Sequence, residues 1–138
     1  VQANRKHHGG LDKALYAYAQ EDADFWARQL DRELPSGWFG ENLRMEGLDV
    51  NAARVGEVWR IGDRVELEVT MPRTPCATFA RWVGGSQARG WVKRFSDEGR
   101  LGAYLRVRRT GSISAGDPVV VVESPDGAPT VREIYRGV

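Results

Sequence analysis

The sequence lacks most of the features that identify a protein at a glance. One cysteine, Cys76, in 138 residues excludes an intrachain disulfide and the common multi-cysteine zinc sites. No apolar run approaches the ~18 residues of a membrane span, and no signal-peptide pattern opens the chain. Neither sign of charge is in excess. Twenty Lys and Arg stand against 19 Asp and Glu, which argues against nucleic acid or an acidic membrane as a partner held by bulk charge. Gly-x-Gly-x-x-Gly, P-loop and Gly-x-Ser-x-Gly patterns are also missing. These absences leave the expectation of a soluble, reduced, cytoplasmic domain. The length is that of one domain at ~150 residues, enough to bury about 68% of the unfolded surface without staples.

Glycine is the residue in excess. The 16 glycines make about 12% of the chain against a usual ~7%, and so many tight turns favour short strands. Val65, Leu67 and Val69 alternate with Glu66, Glu68 and Thr70, the mark of a strand with one buried face. Val55–Ile61 precedes it across Gly62-Asp63, which reads as a two-residue hairpin turn. Leu101, Ala103, Leu105 and Val107 share one face of a further strand, with Tyr104, Arg106 and Arg108 on the other. The continuous run Val119–Val122 predicts a strand covered on both sides.

Two stretches carry helical spacing. In Asp22–Leu34, residues Ala23, Trp26, Ala27, Leu30 and Leu34 form one stripe, and Pro35 with Gly37 ends it. From Ser86 to Gly99, residues Ala88, Trp91, Val92 and Phe95 share a face, although Gly90 costs about 1 kcal/mol there. Thr130-Val131-Arg132-Glu133 fits a capping box, so a helix begins at Val131. Short strands with few helices predict a mostly β (α+β) barrel with helical insertions. Both ends are abrupt, which suggests a piece of a longer protein.

Chemistry points first to Met71-Pro72-Arg73-Thr74-Pro75-Cys76. The two prolines end the strand ladder and stiffen the loop, and Arg73 near the only thiol favours the thiolate, which is both nucleophile and soft-metal ligand. Taken alone, a single cysteine is more often an inert buried one. Lys6-His7-His8-Gly9-Gly10-Leu11-Asp12-Lys13 joins cations to a bare Gly-Gly backbone that an anion can approach, or it is an ordinary polar turn. Adjacent histidines generally cannot both chelate one ion, so the pair is not read as a zinc site. Phe39-Gly40-Glu41-Asn42-Leu43 offers an amide that donates and accepts, or simply a loop closing a helix onto the barrel. Arg106 and Arg108 face solvent unless their face lines a cavity.

In order along the chain, these segments resemble the MOSC family, named for the C-terminal domain of molybdenum-cofactor sulfurase, and its stand-alone YiiM-like members. The matching residues are His8-Gly9-Gly10 with Asp12-Lys13-Ala14, then Tyr18, Trp26, Phe39-Gly40-Glu41-Asn42-Leu43 and Gly47-Leu48. Pro72-Arg73 with Pro75-Cys76, Gly102-Ala103-Tyr104 with Arg106-Val107, and Gly116-Asp117 follow. The specific combination is Phe-Gly-Glu-Asn-Leu with Pro-Arg-x-Pro-Cys about thirty residues later.

The resemblance implies a mixed β-barrel, similar to the barrel domain of pyruvate kinase, with two or three peripheral helices. It implies that Cys76 is the catalytic cysteine and molybdenum ligand, or the carrier of a persulfide. His8, Gly9, Gly10, Lys13, Asn42, Arg73 and Arg106 then bind the molybdenum cofactor (molybdopterin). Relatives that bind it reduce small N-hydroxylated substrates with electrons from a partner reductase, so the implied partners are a substrate and a reductase, with no membrane or nucleic acid, in a monomer or dimer. The alternative is a sulfur-carrier or cofactor-binding module without turnover. Thiolate suits molybdenum already held by dithiolene sulfurs, and a Gly-Gly backbone with Lys13 and Arg73 suits a phosphate. The family's Ile-Gly-Asp turn is Val55-Gly56-Glu57 here, and the strands usual before His-Gly-Gly are missing. The expected organisation is therefore a barrel over residues 1–128 lacking its first strands, and a tail over residues 129–138 that starts a helical region.

Overall fold

The computed structural model describes residues 2–3, 14–73 and 88–137. Strand β1 is Gln2–Ala3, β2 Ala14–Ala19, β3 Leu43–Met45, β4 Val58–Ile61, β5 Val65–Pro72, β6 Ala103–Arg109 and β7 Val119–Glu123. Helix α1 spans Gln20–Leu30, α2 Ala88–Glu98 and α3 Val131–Arg136, with one 3-10 turn at Val50–Ala52. The strands form one mixed sheet in the order β1-β3-β2-β6-β5-β4-β7, curled into a half-barrel. Strands β2 and β3 are parallel, joined through α1, and the other pairs are antiparallel. This is the mostly β architecture that the sequence predicts, with three helices among the described residues.

Strand alternation sorts the side chains into two cores. Leu15, Ala17, Leu67, Val69, Leu105 and Val107 belong to the inner core of the curl. Tyr16 and Tyr18 point the other way, into a second core with Trp26 of α1 and Phe95 of α2. There the Tyr18 and Phe39 rings stack at 4.0 Å, and Trp26 lies 5.9 Å from Phe95.

Several expectations are corrected. The Val119–Val122 run is not covered on both sides: β7 pairs with β4 alone among the described residues, and Val120 and Val121 are 51% and 41% exposed. A β-branched run favours a strand, but position in the sheet decides its burial. Helix α1 starts two residues before Asp22 and ends at Leu30, because Asp31 adopts the left-handed conformation, φ 52°. The β4–β5 turn occupies residues 62–64, one more than expected. Leu101 does not share a face with Ala103. Gly102, at φ 79°, turns the chain between them and sends Leu101 into the aromatic core.

The Thr130 capping box is present in both directions. Helix α3 is docked, since Val131 is buried in the inner core and its N–H donates to the Ala53 carbonyl at 2.8 Å. Helix α2 starts at Ala88, and the expected residues 86 and 87 lie outside the described ones. No helix among the described residues is long and apolar enough to cross a membrane.

Four charged residues are buried among the described residues, each within a network. Arg44, 1% exposed, donates from Nε to Glu41 at 2.7 Å and from its terminal nitrogens to the Leu34 and Pro35 carbonyls. Glu41 also accepts from the Gly37 and Phe39 N–H groups, each at 2.9 Å. Asp22 bridges Arg100 Nη1 at 2.7 Å and Asn51 Nδ2 at 2.6 Å. Glu57 accepts from Trp59 Nε1 at 2.7 Å and from the Ser124 hydroxyl at 2.9 Å.

Candidate functional site

One of the residues singled out from the sequence, Arg73, follows the end of β5, where a β-bulge decides which way the chain points. Val69 pairs with Leu105, yet Met71 pairs with Tyr104, so two residues of β5 oppose one of β6. The hydroxyl of Thr70 donates to the Tyr104 carbonyl at 3.0 Å and fastens the bulge. Upstream, odd-numbered residues face the inner core. Beyond the bulge parity is reversed: Met71 is 52% exposed, Pro72 is buried and Arg73 falls on the aromatic side. A bulge re-aims a side chain in this way wherever an extra residue enters one strand.

Arg73 is half-buried, and its guanidinium carbon lies 4.6 Å from the centre of the Tyr16 ring. Its Nη1 reaches the Phe39 carbonyl at 3.5 Å. Gly40, at φ 83°, lies alongside, and any Cβ there would stand 3.5 Å from Arg73 Nη1. Tyr16 is held on every side. Its hydroxyl donates to the Leu101 carbonyl, and its ring leans on Tyr104 at 5.6 Å and Tyr18 at 6.2 Å. Burial pushes the Tyr16 phenol well above its ordinary pKa, with Arg73 pulling the other way. The ring therefore stays neutral and its face stays available to a cation.

Asn42 closes the arrangement. Its backbone N–H donates to the Tyr16 carbonyl at 2.9 Å, and its side-chain Oδ1 accepts from the Tyr16 N–H at 2.8 Å. One residue thus satisfies both main-chain groups of Tyr16, just where β3 begins to pair with β2 at Ala17 and Leu43. The amide oxygen is spent on the sheet, which leaves the Nδ2 hydrogens as the part of Asn42 that can meet a ligand.

Of the residues singled out from the sequence, Asn42 and Arg73 come together around Tyr16. Arg106 lies on the same face, one pair of residues (~7 Å) further along β6 than Tyr104. Its guanidinium contacts Glu68 at 2.8 Å and is more than half exposed. Glu68 also lies 3.7 Å from Arg108, so Arg106 belongs to a surface charge network on this face. His8, Gly9, Gly10, Lys13 and Cys76 lie outside the described residues. In sequence, Lys13 directly precedes β2 and Cys76 follows Arg73 by three positions. Sequence reasoning missed Tyr16 and Tyr104. Alternation of Tyr16 and Tyr18 with Leu15, Ala17 and Ala19 would have revealed β2 and its aromatic face.

The chain belongs to the MOSC domain family, which matches residues 4–120. It is 36% identical to the Bacillus subtilis protein YflK, described as uncharacterized, over 83% of this chain and 50% of that one. It is 31% identical to protein YiiM of Escherichia coli over 88% of this chain and 54% of that one. A Gibberella moniliformis protein named Reductase is 31% identical over 94% of this chain but only 23% of its own length. The chain thus spans about half the length of the bacterial relatives and under a quarter of the fungal one. Among solved structures, YiiM of Geobacillus stearothermophilus superposes with a TM-score of 0.81 at 33% identity, covering 93% of this chain and 64% of that one.

Proposed function

We propose that this chain is the cofactor-binding barrel of a molybdenum-dependent reductase acting on small N-hydroxylated compounds, with Cys76 as the metal ligand. The observation that carries the reading is the placement of Arg73: half-buried, fixed on an aromatic ring, beside Gly40, three residues before the only thiol. The donor set fits a pterin with an anionic phosphate. Arg73 and Lys13 supply charge for the phosphate, Gly9 and Gly10 a backbone that carries no side chain, and the Asn42 Nδ2 group a neutral donor. When bound, the cofactor supplies the two-electron chemistry at molybdenum. The protein contributes a soft thiolate from Cys76 and a fixed set of cations and donors.

A reductase partner that feeds electrons belongs to this reading. Its support is the fungal relative named Reductase, in which the region like this chain is only part of a longer protein. Residues 1–128 are the barrel in this proposal, residues 129–138 open a helical region, and the protein works in the cytoplasm.

Metal analysis of wild type and Cys76→Ser, purified from a host that makes the cofactor, tests the proposal. Wild type should hold roughly one molybdenum per chain and the variant almost none. Wild type without molybdenum would overturn the reading. If the Cys76 peptide then carries one extra sulfur, about 32 Da, the chain is a persulfide carrier instead.

A further inference from the structure

The chain leaves the sheet after Pro72, runs through Cys76 and helix α2, and re-enters the sheet at Ala103, the residue with which Pro72 pairs. We propose that Asn51 is a positioning residue for this excursion: its buried amide locks the neck from which the Arg73–Cys76 segment departs. The proposal rests on the reading of that segment as the cofactor site given above.

Three observations carry this. First, the neck is tied at three consecutive carbonyls. The Arg73 N–H donates to the Gly102 carbonyl at 3.3 Å, the Tyr16 hydroxyl to the Leu101 carbonyl, and the Tyr18 hydroxyl to the Arg100 carbonyl at 2.6 Å. Whatever fixes residues 100–102 therefore fixes both the first residue of the cysteine segment and the ring over which Arg73 lies. Second, Asn51 reaches both ends of that turn. Its Oδ1 accepts from the Gly102 N–H at 3.3 Å, and its Nδ2 donates to Asp22 at 2.6 Å, which in turn holds Arg100 Nη1 at 2.7 Å. Third, the position is specific and dry. A short side chain that accepts from an N–H at one end and donates to a carboxylate at the other is an amide. Asn51 is 1% exposed, so a bond it loses is not replaced by bulk water. The turn that presents it is pinned as well, since the Asp49 side chain accepts the Asn51 N–H at 3.1 Å.

Backbone amide hydrogen exchange in the intact chain, with the pH profile of Cys76 alkylation by iodoacetamide, tests the proposal. Asn51→Ala is compared with Ile61→Val, a truncation buried in the inner core. Both loosen the whole fold, so the Val69 amide, bonded to the Glu57 carbonyl at 2.9 Å, should exchange faster in each. The Arg73 amide separates them. Its protection should fall about tenfold or more in Asn51→Ala, the loss expected from one or two buried hydrogen bonds. It should stay unchanged in Ile61→Val, because the neck opens while the inner core remains folded. The alkylation midpoint of Cys76 should move toward the ~8.5 of a free thiol in Asn51→Ala alone.

An Arg73 amide that responds equally to both variants, or not at all to Asn51→Ala, overturns the proposal and leaves Asn51 an ordinary structural residue. An Arg73 amide without protection in wild type overturns it with no variant needed. If Asn51→Ala does not fold, Asn51→Ser, whose hydroxyl is too short to reach both partners, replaces it with an expected loss of about threefold or more. A neck that loosens while a lowered alkylation midpoint stays at its wild-type value also overturns the proposal, because the thiol is then not held through Asn51. A wild-type midpoint already at ~8.5 instead removes the reading of Cys76 as an activated thiol, and the exchange comparison alone then decides whether Asn51 holds the neck.

Discussion

Replacing Arg44 with methionine should be the most damaging single change outside the hydrophobic cores. The Arg44 and Glu41 side chains are 1% and 0% exposed, so truncating the cation leaves a carboxylate buried without its countercharge. Breaking a buried pair from one side costs about 3–5 kcal/mol. The Leu34 and Pro35 carbonyls lose their donor as well. With an unfolding entropy near 0.3 kcal/mol/K for a chain of this length, about 4 kcal/mol lowers the melting midpoint by roughly 13 °C. Differential scanning calorimetry reads this directly. Lys93→Met is the control, because Lys93 and Asp97 are 79% and 65% exposed, and it should move the midpoint by less than about 2 °C. An Arg44→Met midpoint within about 3 °C of wild type would refute the reasoning, since it would mean that the Glu41 carboxylate relaxes to water at little cost.

Burial raises the Asp22 pKa, against the bonds from Arg100 and Asn51. A raised folded pKa means the folded state holds the proton more tightly than the unfolded one. That contribution is full below about pH 4 and fades as pH rises through the raised value. Asp22→Asn cannot titrate, so the stability advantage of wild type over the variant should shrink from about pH 4 toward neutrality in urea unfolding. A constant difference would contradict the raised pKa. Gly102→Ala should cost about 2–5 kcal/mol, because its Cβ would lie 2.5 Å from the Ala17 carbonyl at φ 79°. Gly116→Ala, also left-handed but with nothing within 4 Å, should cost only about 1 kcal/mol by the same chemical denaturation. Asn42→Asp keeps an acceptor for the Tyr16 N–H while removing the donor and adding charge, so thermal stability should hold and phosphate titrations should weaken. Equal loss of both would show that the amide serves the sheet alone.

The strands most legible in the sequence are those whose alternation reports one buried face. Val65, Leu67 and Val69 of β5 and Ala103, Leu105 and Val107 of β6 are buried as their period predicts. The reading failed where burial depends on what lies beside an element: β7 opens with four valines, yet among the described residues it is the outer strand next to β4. The buried charges were also out of reach. Asp22 finds its partners 29 and 78 residues away, and nothing local distinguishes it from a surface acid at a helix start. At the site, Asn42 and Arg73 of the Phe-Gly-Glu-Asn-Leu and Pro-Arg-x-Pro-Cys segments both contact Tyr16, but the labour of the first segment is divided differently from what its sequence suggests. Glu41 holds the loop with Arg44, and the Asn42 oxygen holds Tyr16, so only half of that amide is left for chemistry. The bulge at Thr70, which sets the direction of Arg73, has no signature in an alternating strand until its register with β6 is known.

Strand β2 gives alanines and a leucine to the interior of the curl and two tyrosines to the layer beneath the helices, so a single ribbon is the party wall of both compartments. Among the described residues, emptying either compartment therefore disturbs the strand that the other shares. The slowest-exchanging amides of Tyr16 and Ala17 should therefore share one opening free energy, equal to that of global unfolding.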